Sequence, residues 1–129
     1  MNVLIVEDEE MLRETLGAFL EEHGFQVSTA SSGEEGLRVL AQHTADVAVV
    51  DIRLPGMSGD TFIMRAYAAQ PGMAFLIYTG TKNFALPREL VRMGMGPEHV
   101  FQKPLFDLGV LVNAIVRCKN PGSSGKAGT

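Results

Sequence analysis

The sequence predicts a doubly wound α/β domain, a three-layer sandwich in which a five-stranded parallel sheet lies between two layers of helices. Short apolar runs such as residues 3–6 and 47–50 alternate with longer segments whose apolar residues recur at helical spacing. We count five strands and five helices along the chain. Strands that alternate with helices in this way require right-handed crossovers, which make the sheet parallel and cover both of its faces.

The first three elements have clear sequence signals. Residues 3–6 are four consecutive aliphatic residues, typical of a central strand that is buried on both faces. The apolar residues that follow predict a helix over residues 9–23, and Gly24 suits the left-handed conformation that ends a helix. Residues 25–30 alternate in polarity and form the second predicted strand.

The middle of the chain continues the alternation. Ser32 and Glu35 have the spacing of a capping box at the start of the second helix. Residues 46–51 form the third predicted strand. Ser58 is placed to cap the third helix, which the Pro-Gly pair at residues 71–72 ends.

The last four elements are shorter. Residues 74–79 form the fourth predicted strand and residues 100–102 the fifth. Leucine and methionine spacing over residues 86–93 predicts a short fourth helix. Residues 108–116 have the apolar spacing of a fifth helix.

Length and composition fit one domain. The chain has 129 residues, of which 46% are hydrophobic, enough for a single core. We predict a domain over residues 1–118 and a flexible tail or linker, rich in Gly and Ser, over residues 119–129. Eleven Lys and Arg against fifteen Asp and Glu give a net charge of −4, which argues against direct contact with nucleic acid.

The sequence also predicts a compartment. Cys118 is the only cysteine, which is typical of a reducing environment and excludes an internal disulfide or a cysteine metal cluster. The first apolar run is short and meets acidic residues, unlike a signal peptide, and no apolar segment approaches the length of a membrane span. We expect a cytoplasmic protein with no membrane partner.

Charged and hydroxyl side chains follow the apolar strands. Glu7 and Asp8 come after the first strand, and Asp51 ends the third. Thr79 ends the fourth strand, and Lys103 follows the fifth. Because parallel strands end at one edge of the sheet, where open α/β folds bind their ligands, we expect these side chains to share a site.

The residue types at this edge favour phosphoryl chemistry. Three carboxylates repel one another, so either they share protons or a cation neutralises them. Mg²⁺ is the better candidate, since it binds oxygen ligands, whereas zinc is disfavoured without a Cys or His cluster. Lys103 adds positive charge, Thr79 offers a hydroxyl, and Asp51 can act as a nucleophile toward a phosphoryl group.

The chain resembles the receiver domain of two-component response regulators from residue 2 to about residue 118. Four segments carry the resemblance in the family's order: VLIVEDE, DVAVVDIRLPGMSGD, IYTGT and VFQKPL. The resemblance implies a flavodoxin-like receiver fold. It also implies a signalling module, not a separate enzyme, which catalyses only the phosphorylation and dephosphorylation of its own aspartate.

The resemblance implies a role for each site residue. Asp51 would accept a phosphoryl group from a sensor histidine kinase or a histidine phosphotransfer protein, and the phosphorylated domain would switch an output domain or effector. Asp8 would bind Mg²⁺ directly, Glu7 through water, Asp51 through its carboxylate and Arg53 through its backbone carbonyl. Thr79 would be the switch hydroxyl and Lys103 would contact the phosphoryl group. The Lys103-Pro104 peptide bond is expected to be cis, and a homodimer through the fourth helix, fifth strand and fifth helix is possible in this family.

One position departs from the family pattern. Receivers usually carry Tyr or Phe three residues before the lysine, where this chain has Val100. Strand alternation places Phe101 on the opposite face, so we expect Phe101 in the core and His99 as the nearest substitute for the aromatic residue. We expect the signal to run instead through residues 80–85, where Gly80 leaves the backbone free and Phe84 could repack.

Two other functions compete with this interpretation. A small phosphohydrolase could use the same nucleophilic aspartate, but such enzymes generally carry a second Asp two residues later, where this chain has Arg53. A receiver-like docking module that never meets phosphate is the other alternative. The complete set of acids, threonine and lysine argues against it.

Overall fold

The computed structural model describes residues 1–119 of the chain. Strands and helices alternate as predicted, with these bounds: β1 Asn2–Val6, α1 Glu10–Glu22, β2 Gln26–Ala30, α2 Gly33–Gln42, β3 Val47–Val50, α3 Gly59–Ala69, β4 Ala74–Thr79, α4 Arg88–Arg92, β5 Val100–Gln102 and α5 Gly109–Lys119. A 3-10 turn, Pro97–His99, leads into β5.

The five strands form one parallel sheet in the order β2-β1-β3-β4-β5. The chain order reverses between β1 and β3, and open α/β folds form their ligand crevice at such a reversal. Val6 of β1 pairs with Val50 of β3, so the next residues, Glu7 and Asp51, leave the sheet side by side. The register thus brings two of the predicted site residues together.

Side chains alternate between two cores on opposite faces of the sheet. Leu4 and Val6 join a core completed by α2, α3 and α4, in which Phe62 is fully buried. Val3 and Ile5 point the other way, into a core with residues of α1 and α5. This is the predicted three-layer sandwich, and strands apolar on both faces form its centre.

The helix ends agree with the sequence signals in part. Gly24 has φ +91°, the left-handed conformation that was predicted after α1. The Ser32 hydroxyl accepts the backbone N–H of Glu35 at 3.1 Å, which is half of the predicted capping box. The Glu35 carboxylate instead accepts from Ser31. Ser58 is the residue before α3, but its hydroxyl donates to the Thr61 hydroxyl at 3.1 Å and caps no helix N–H.

The segment after β4 is less regular than predicted. The fourth helix has five residues, Arg88–Arg92, because Pro87 precedes it and Gly94 at φ +104° follows it. Lys119, predicted to begin the tail, is the last residue of α5, and residues 120–129 lie outside the described part of the chain. Among the described helices none is both long and apolar enough to cross a membrane.

Candidate functional site

Four predicted residues meet where the parallel strands end. Glu7 and Asp51 directly follow β1 and β3, and Thr79 is the last residue of β4. All three side chains are buried, although buried positions seldom hold carboxylates. Lys103 directly follows β5, and its backbone N–H donates to the Thr79 carbonyl at 2.8 Å. The predicted convergence of these residues is therefore present.

Lys103 bridges two buried carboxylates. Its ammonium nitrogen Nζ lies 2.7 Å from Oε1 of Glu7 and 2.9 Å from Oδ2 of Asp51. Burial alone would lower the pKa of Lys103, but the bonds to Glu7 and Asp51 outweigh it and raise the pKa above its ordinary value. A charged lysine is held between the two acids.

Glu7 is fixed from several directions. Burial raises the pKa of the Glu7 carboxyl above its ordinary value, and the hydrogen bond from Lys103 offsets only part of this effect. The other carboxylate oxygen, Oε2, accepts the backbone N–H of Glu9 at 3.1 Å. The Arg13 guanidinium donates to the Glu7 carbonyl at 2.8 Å and so ties α1 to the end of β1.

Three carboxylates lie within reach of a single cation. Glu7, Asp8 and Asp51 each offer an oxygen within 4.8 Å of the others, and Asp8 is exposed to solvent. This all-oxygen donor set, with one open side, fits a hard divalent ion such as Mg²⁺, which keeps part of its water shell. Among residues 1–119 it is the only group of three or more His, Cys, Asp or Glu residues close enough to hold a metal.

The loop after β3 wraps around Asp51. The backbone N–H of Arg53 donates to Oδ1 of Asp51 at 3.2 Å, while the Arg53 side chain is exposed. Glu34 of α2 accepts the backbone N–H of Met57 at 3.1 Å and braces the far end of this loop. The loop therefore presents Asp51 with a fixed backbone.

Thr79 is engaged by its neighbour in the described structure. Its hydroxyl oxygen accepts the backbone N–H of Thr81 at 3.2 Å and lies 3.2 Å from the Thr81 hydroxyl, to which it donates. The Thr79 hydroxyl thus bonds to Thr81 and not to Asp51. To donate to any other group, this hydroxyl must give up its bond to the Thr81 hydroxyl.

Val100 and Phe101 face opposite sides of the sheet, as strand alternation predicted. Phe101 packs on the core beneath α1 and α5, and Val100 packs on the other core. Val100, Phe84 and Leu86 line one apolar groove. His99 does not replace the missing aromatic residue there, because its Nδ1 accepts the backbone N–H of Gly96 at 2.9 Å in the turn before β5.

Sequence reasoning missed three side chains that bond to the backbone around the site. Arg13 donates to the Glu7 carbonyl six residues earlier, and Glu34 accepts from Met57 in the loop after β3, and no periodicity of the sequence marks either pair. Tyr78 was treated only as part of β4, yet its hydroxyl accepts the backbone N–H of Leu105, two residues after Lys103. The position of Tyr78 directly before Thr79 was the one feature of the sequence that could have indicated its contact with the site. The Lys103-Pro104 bond is cis, as the resemblance implied.

Known proteins match the chain over nearly all of its described length. The response regulator receiver domain family matches residues 3–116. A cyclic di-GMP phosphodiesterase of Thermotoga maritima is 35% identical over 94 residues, which are 73% of this chain and 25% of that protein. The transcriptional regulatory protein GlrR of Escherichia coli is 33% identical over 114 residues, 88% of this chain and 25% of that protein. This chain thus matches about a quarter of the length of these two relatives.

Solved structures agree with these matches. A response regulator receiver domain protein from Clostridium thermocellum has a TM-score of 0.79 and 29% identity, covering 95% of this chain and 96% of that one. A receiver domain from Methylobacillus flagellatus has a TM-score of 0.78 and 27% identity, covering 92% and 98%. The fold, the sequence match and the acidic site at the strand ends agree, and the chain belongs to the family of response regulator receiver domains.

Proposed function

We propose that this receiver domain accepts a phosphoryl group on Asp51 and uses it to switch a partner. The observation that supports this most directly is the site geometry. The Asp51 carboxylate lies beside two further acids that can hold a cation, and the Lys103 ammonium is 2.9 Å from its Oδ2. Phosphoryl transfer needs a nucleophile and charge neutralisation, and the Asp51 carboxylate and the Lys103 ammonium are suited to these two tasks.

The chemistry requires no general base. A carboxylate oxygen of Asp51 attacks phosphorus and forms an acyl phosphate. The bond from phosphorus to the donor nitrogen of a phosphohistidine breaks, and its electron pair stays on the imidazole. Lys103, released from Asp51 as that carboxylate becomes an acyl phosphate, is close enough to pair with a phosphoryl oxygen.

We assign Mg²⁺ to the acidic cluster. Asp8 would bind it directly, Glu7 through water, Asp51 through its carboxylate and Arg53 through its backbone carbonyl. When bound, the ion neutralises charge on the phosphoryl oxygens. The exposure of Asp8 and the all-oxygen donor set support this assignment.

The switch itself would use the Thr79 hydroxyl. The bond that it donates to the Thr81 hydroxyl would exchange for a charge-assisted bond to a phosphoryl oxygen, and the move would pull on the loop over residues 80–87. The partners would be a sensor histidine kinase or a histidine phosphotransfer protein upstream and an output domain or effector downstream. Homodimer formation, the tail over residues 119–129 and a cytoplasmic location remain predictions.

The test is intact mass after incubation with acetyl phosphate, with and without Mg²⁺, for wild type and Asp51→Ala. We expect a Mg²⁺-dependent gain of one phosphoryl group in wild type and none in the variant. Phosphate released catalytically, without retention on the protein, would favour a phosphohydrolase. A protein that neither gains nor releases phosphate under any condition would favour a phosphate-independent docking module.

A further inference from the structure

Tyr78 lies directly beneath the lysine of the site. It is the penultimate residue of β4, and its side chain packs in the core with residues of α1 and α5. Only 3% of it is exposed. A buried tyrosine needs a partner for its hydroxyl, so the position of that hydroxyl is informative.

The Tyr78 hydroxyl holds the chain that follows Lys103. It accepts the backbone N–H of Leu105 at 3.2 Å. Pro104 has no N–H, so Leu105 carries the first backbone donor after Lys103, whose own N–H donates to the Thr79 carbonyl at 2.8 Å. Two consecutive residues of β4 therefore hold the backbone on both sides of the lysine.

The Tyr78 ring also lies beneath the charged end of Lys103. The Lys103 ammonium nitrogen is 5.7 Å from the ring centroid, within the range in which an aromatic face attracts a cation. Tyr78, Lys103 and Pro104 line one groove beside the start of α1. The Tyr78 side chain thus bonds through its hydroxyl to the backbone just after Lys103, and its ring faces the Lys103 ammonium group.

We propose that Tyr78 is a positioning residue for the phosphorylation of Asp51, which acts by holding Lys103 against the acids through its hydroxyl and its ring. This inference rests on the proposed function. A purely structural Tyr78 would instead support the core, and its loss would affect the protein equally with or without Lys103.

A double-mutant cycle separates these two roles. The initial rate of phosphorylation by acetyl phosphate with Mg²⁺ is measured by intact mass for wild type, Tyr78→Phe, Lys103→Met and the double variant. Tyr78→Phe keeps the ring and removes one hydrogen bond, so we expect the rate to fall about three- to tenfold. In the Lys103→Met background we expect the same change to alter the rate by less than about twofold.

Tyr67→Phe is the matched control, since Tyr67 is the only other tyrosine and packs on the opposite core. Its rate should equal that of wild type. An equal slowing by Tyr78→Phe in both backgrounds, or no slowing in either, would overturn the proposal.

A second measurement does not depend on phosphorylation. Lys103 is one of four lysines, and its Cε signal in ¹³C-lysine-labelled protein is identified by its loss in Lys103→Met. We expect ¹³C relaxation to report a more mobile Lys103 side chain in Tyr78→Phe and no change in Tyr67→Phe. If the Lys103 side chain is as ordered in Tyr78→Phe as in wild type, the positioning role is refuted. If wild type is not phosphorylated by acetyl phosphate, only the proposed function is refuted.

Discussion

The ammonium nitrogen of Lys103 lies 2.9 Å from Oδ2 of Asp51 and joins the end of β5 to the end of β3. The same nitrogen lies 2.7 Å from Glu7, at the end of β1. One cation thus connects three strands and neutralises acids that are buried beside each other. Its removal would leave two buried carboxylates without a positive partner, which is costly.

We predict that Lys103→Met lowers the free energy of unfolding by roughly 1–3 kcal/mol without Mg²⁺. Mg²⁺ should stabilise this variant more than it stabilises wild type, because the ion no longer meets a like charge. Urea unfolding with and without Mg²⁺ measures both effects. The control is Lys82→Met, at an exposed lysine in the loop after β4, which should behave as wild type. Equal Mg²⁺ stabilisation of Lys103→Met and wild type would contradict the prediction.

Glu35 should make stability depend on pH. Its carboxylate accepts the backbone N–H of Ser31 at 2.6 Å and then the Ser31 hydroxyl at 2.8 Å, and these bonds lower the pKa of Glu35 below its ordinary value. A lowered pKa in the folded state gives stability that is present above the unfolded pKa and is lost as pH falls through the folded pKa.

Glu35→Gln should therefore destabilise the protein by about 0.5 kcal/mol at neutral pH, a small value because the site is near the surface. The difference from wild type should shrink as the pH falls below about 4. Denaturant unfolding over this pH range tests it, with Ser31→Ala as an intermediate variant that keeps the backbone bond. A difference that is constant with pH would show that the Glu35 charge has no role.

Val100→Tyr should leave the rate of Asp51 phosphorylation unchanged and alter the affinity for a partner. Val100 packs on the core beneath α2, α3 and α4, where a tyrosine would enter the groove lined by Phe84 and Leu86. We expect the rate of Asp51 phosphorylation to stay within about twofold of wild type, or ~0.4 kcal/mol in the barrier. Partner affinity, measured by titration calorimetry once a partner is identified, should change. A collapse in the phosphorylation rate would refute this separation.

The sequence predicted the strands, and the approach of the side chains at their ends, for a physical reason. Residues 3–6 and 47–50 are short, continuous apolar runs, which are typical of central parallel strands, and the polar residues after parallel strands share one edge of the sheet. The approach of Glu7, Asp51 and Lys103 follows from that topology alone. The chemical roles of these residues came from the family resemblance, and they stay predictions.

What the sequence did not predict depends on contacts between distant segments. The Ser58 hydroxyl could bond either to a helix N–H or to the Thr61 hydroxyl, and the sequence does not show which. In the structure it bonds to Thr61. The bond from Leu105 to Tyr78 joins β4 to the loop after β5, and no periodicity marks such a pair. The short α4 reflects Pro87 and the loop before it, where turn residues outweigh apolar spacing.

Arg53 should extend the lifetime of the phosphorylated state. Its backbone N–H contacts Oδ1 of Asp51, and its side chain is exposed beside the site, so the guanidinium can cover the acyl phosphate and exclude water. We expect Arg53→Ala to lose phosphate several-fold faster, on the order of 1 kcal/mol in the barrier. The decay is followed by intact mass after removal of acetyl phosphate, with the exposed Arg92→Ala as control. Equal decay rates in wild type and Arg53→Ala would remove any role for this side chain.

Gly59 should tolerate no side chain. Its backbone N–H donates to the Ile52 carbonyl at 2.9 Å, and a Cβ added at residue 59 would clash with the Asp51 carbonyl oxygen and lie 2.8 Å from Ile52 Cα. Both neighbours are backbone atoms, so the loop that carries Asp51 would have to move.

Gly59→Ala should therefore cost about 1–3 kcal/mol of unfolding free energy and slow Asp51 phosphorylation in the protein that remains folded. The control is Gly72→Ala, because a Cβ at residue 72 meets nothing within 4 Å. Denaturant unfolding and the acetyl phosphate assay are run on both variants at a temperature where each is folded. If Gly59→Ala lost stability but kept the wild-type rate, the loop would have made room for the methyl group without moving the Asp51 carboxylate. The prediction that Gly59 fixes the position of Asp51 would then be wrong.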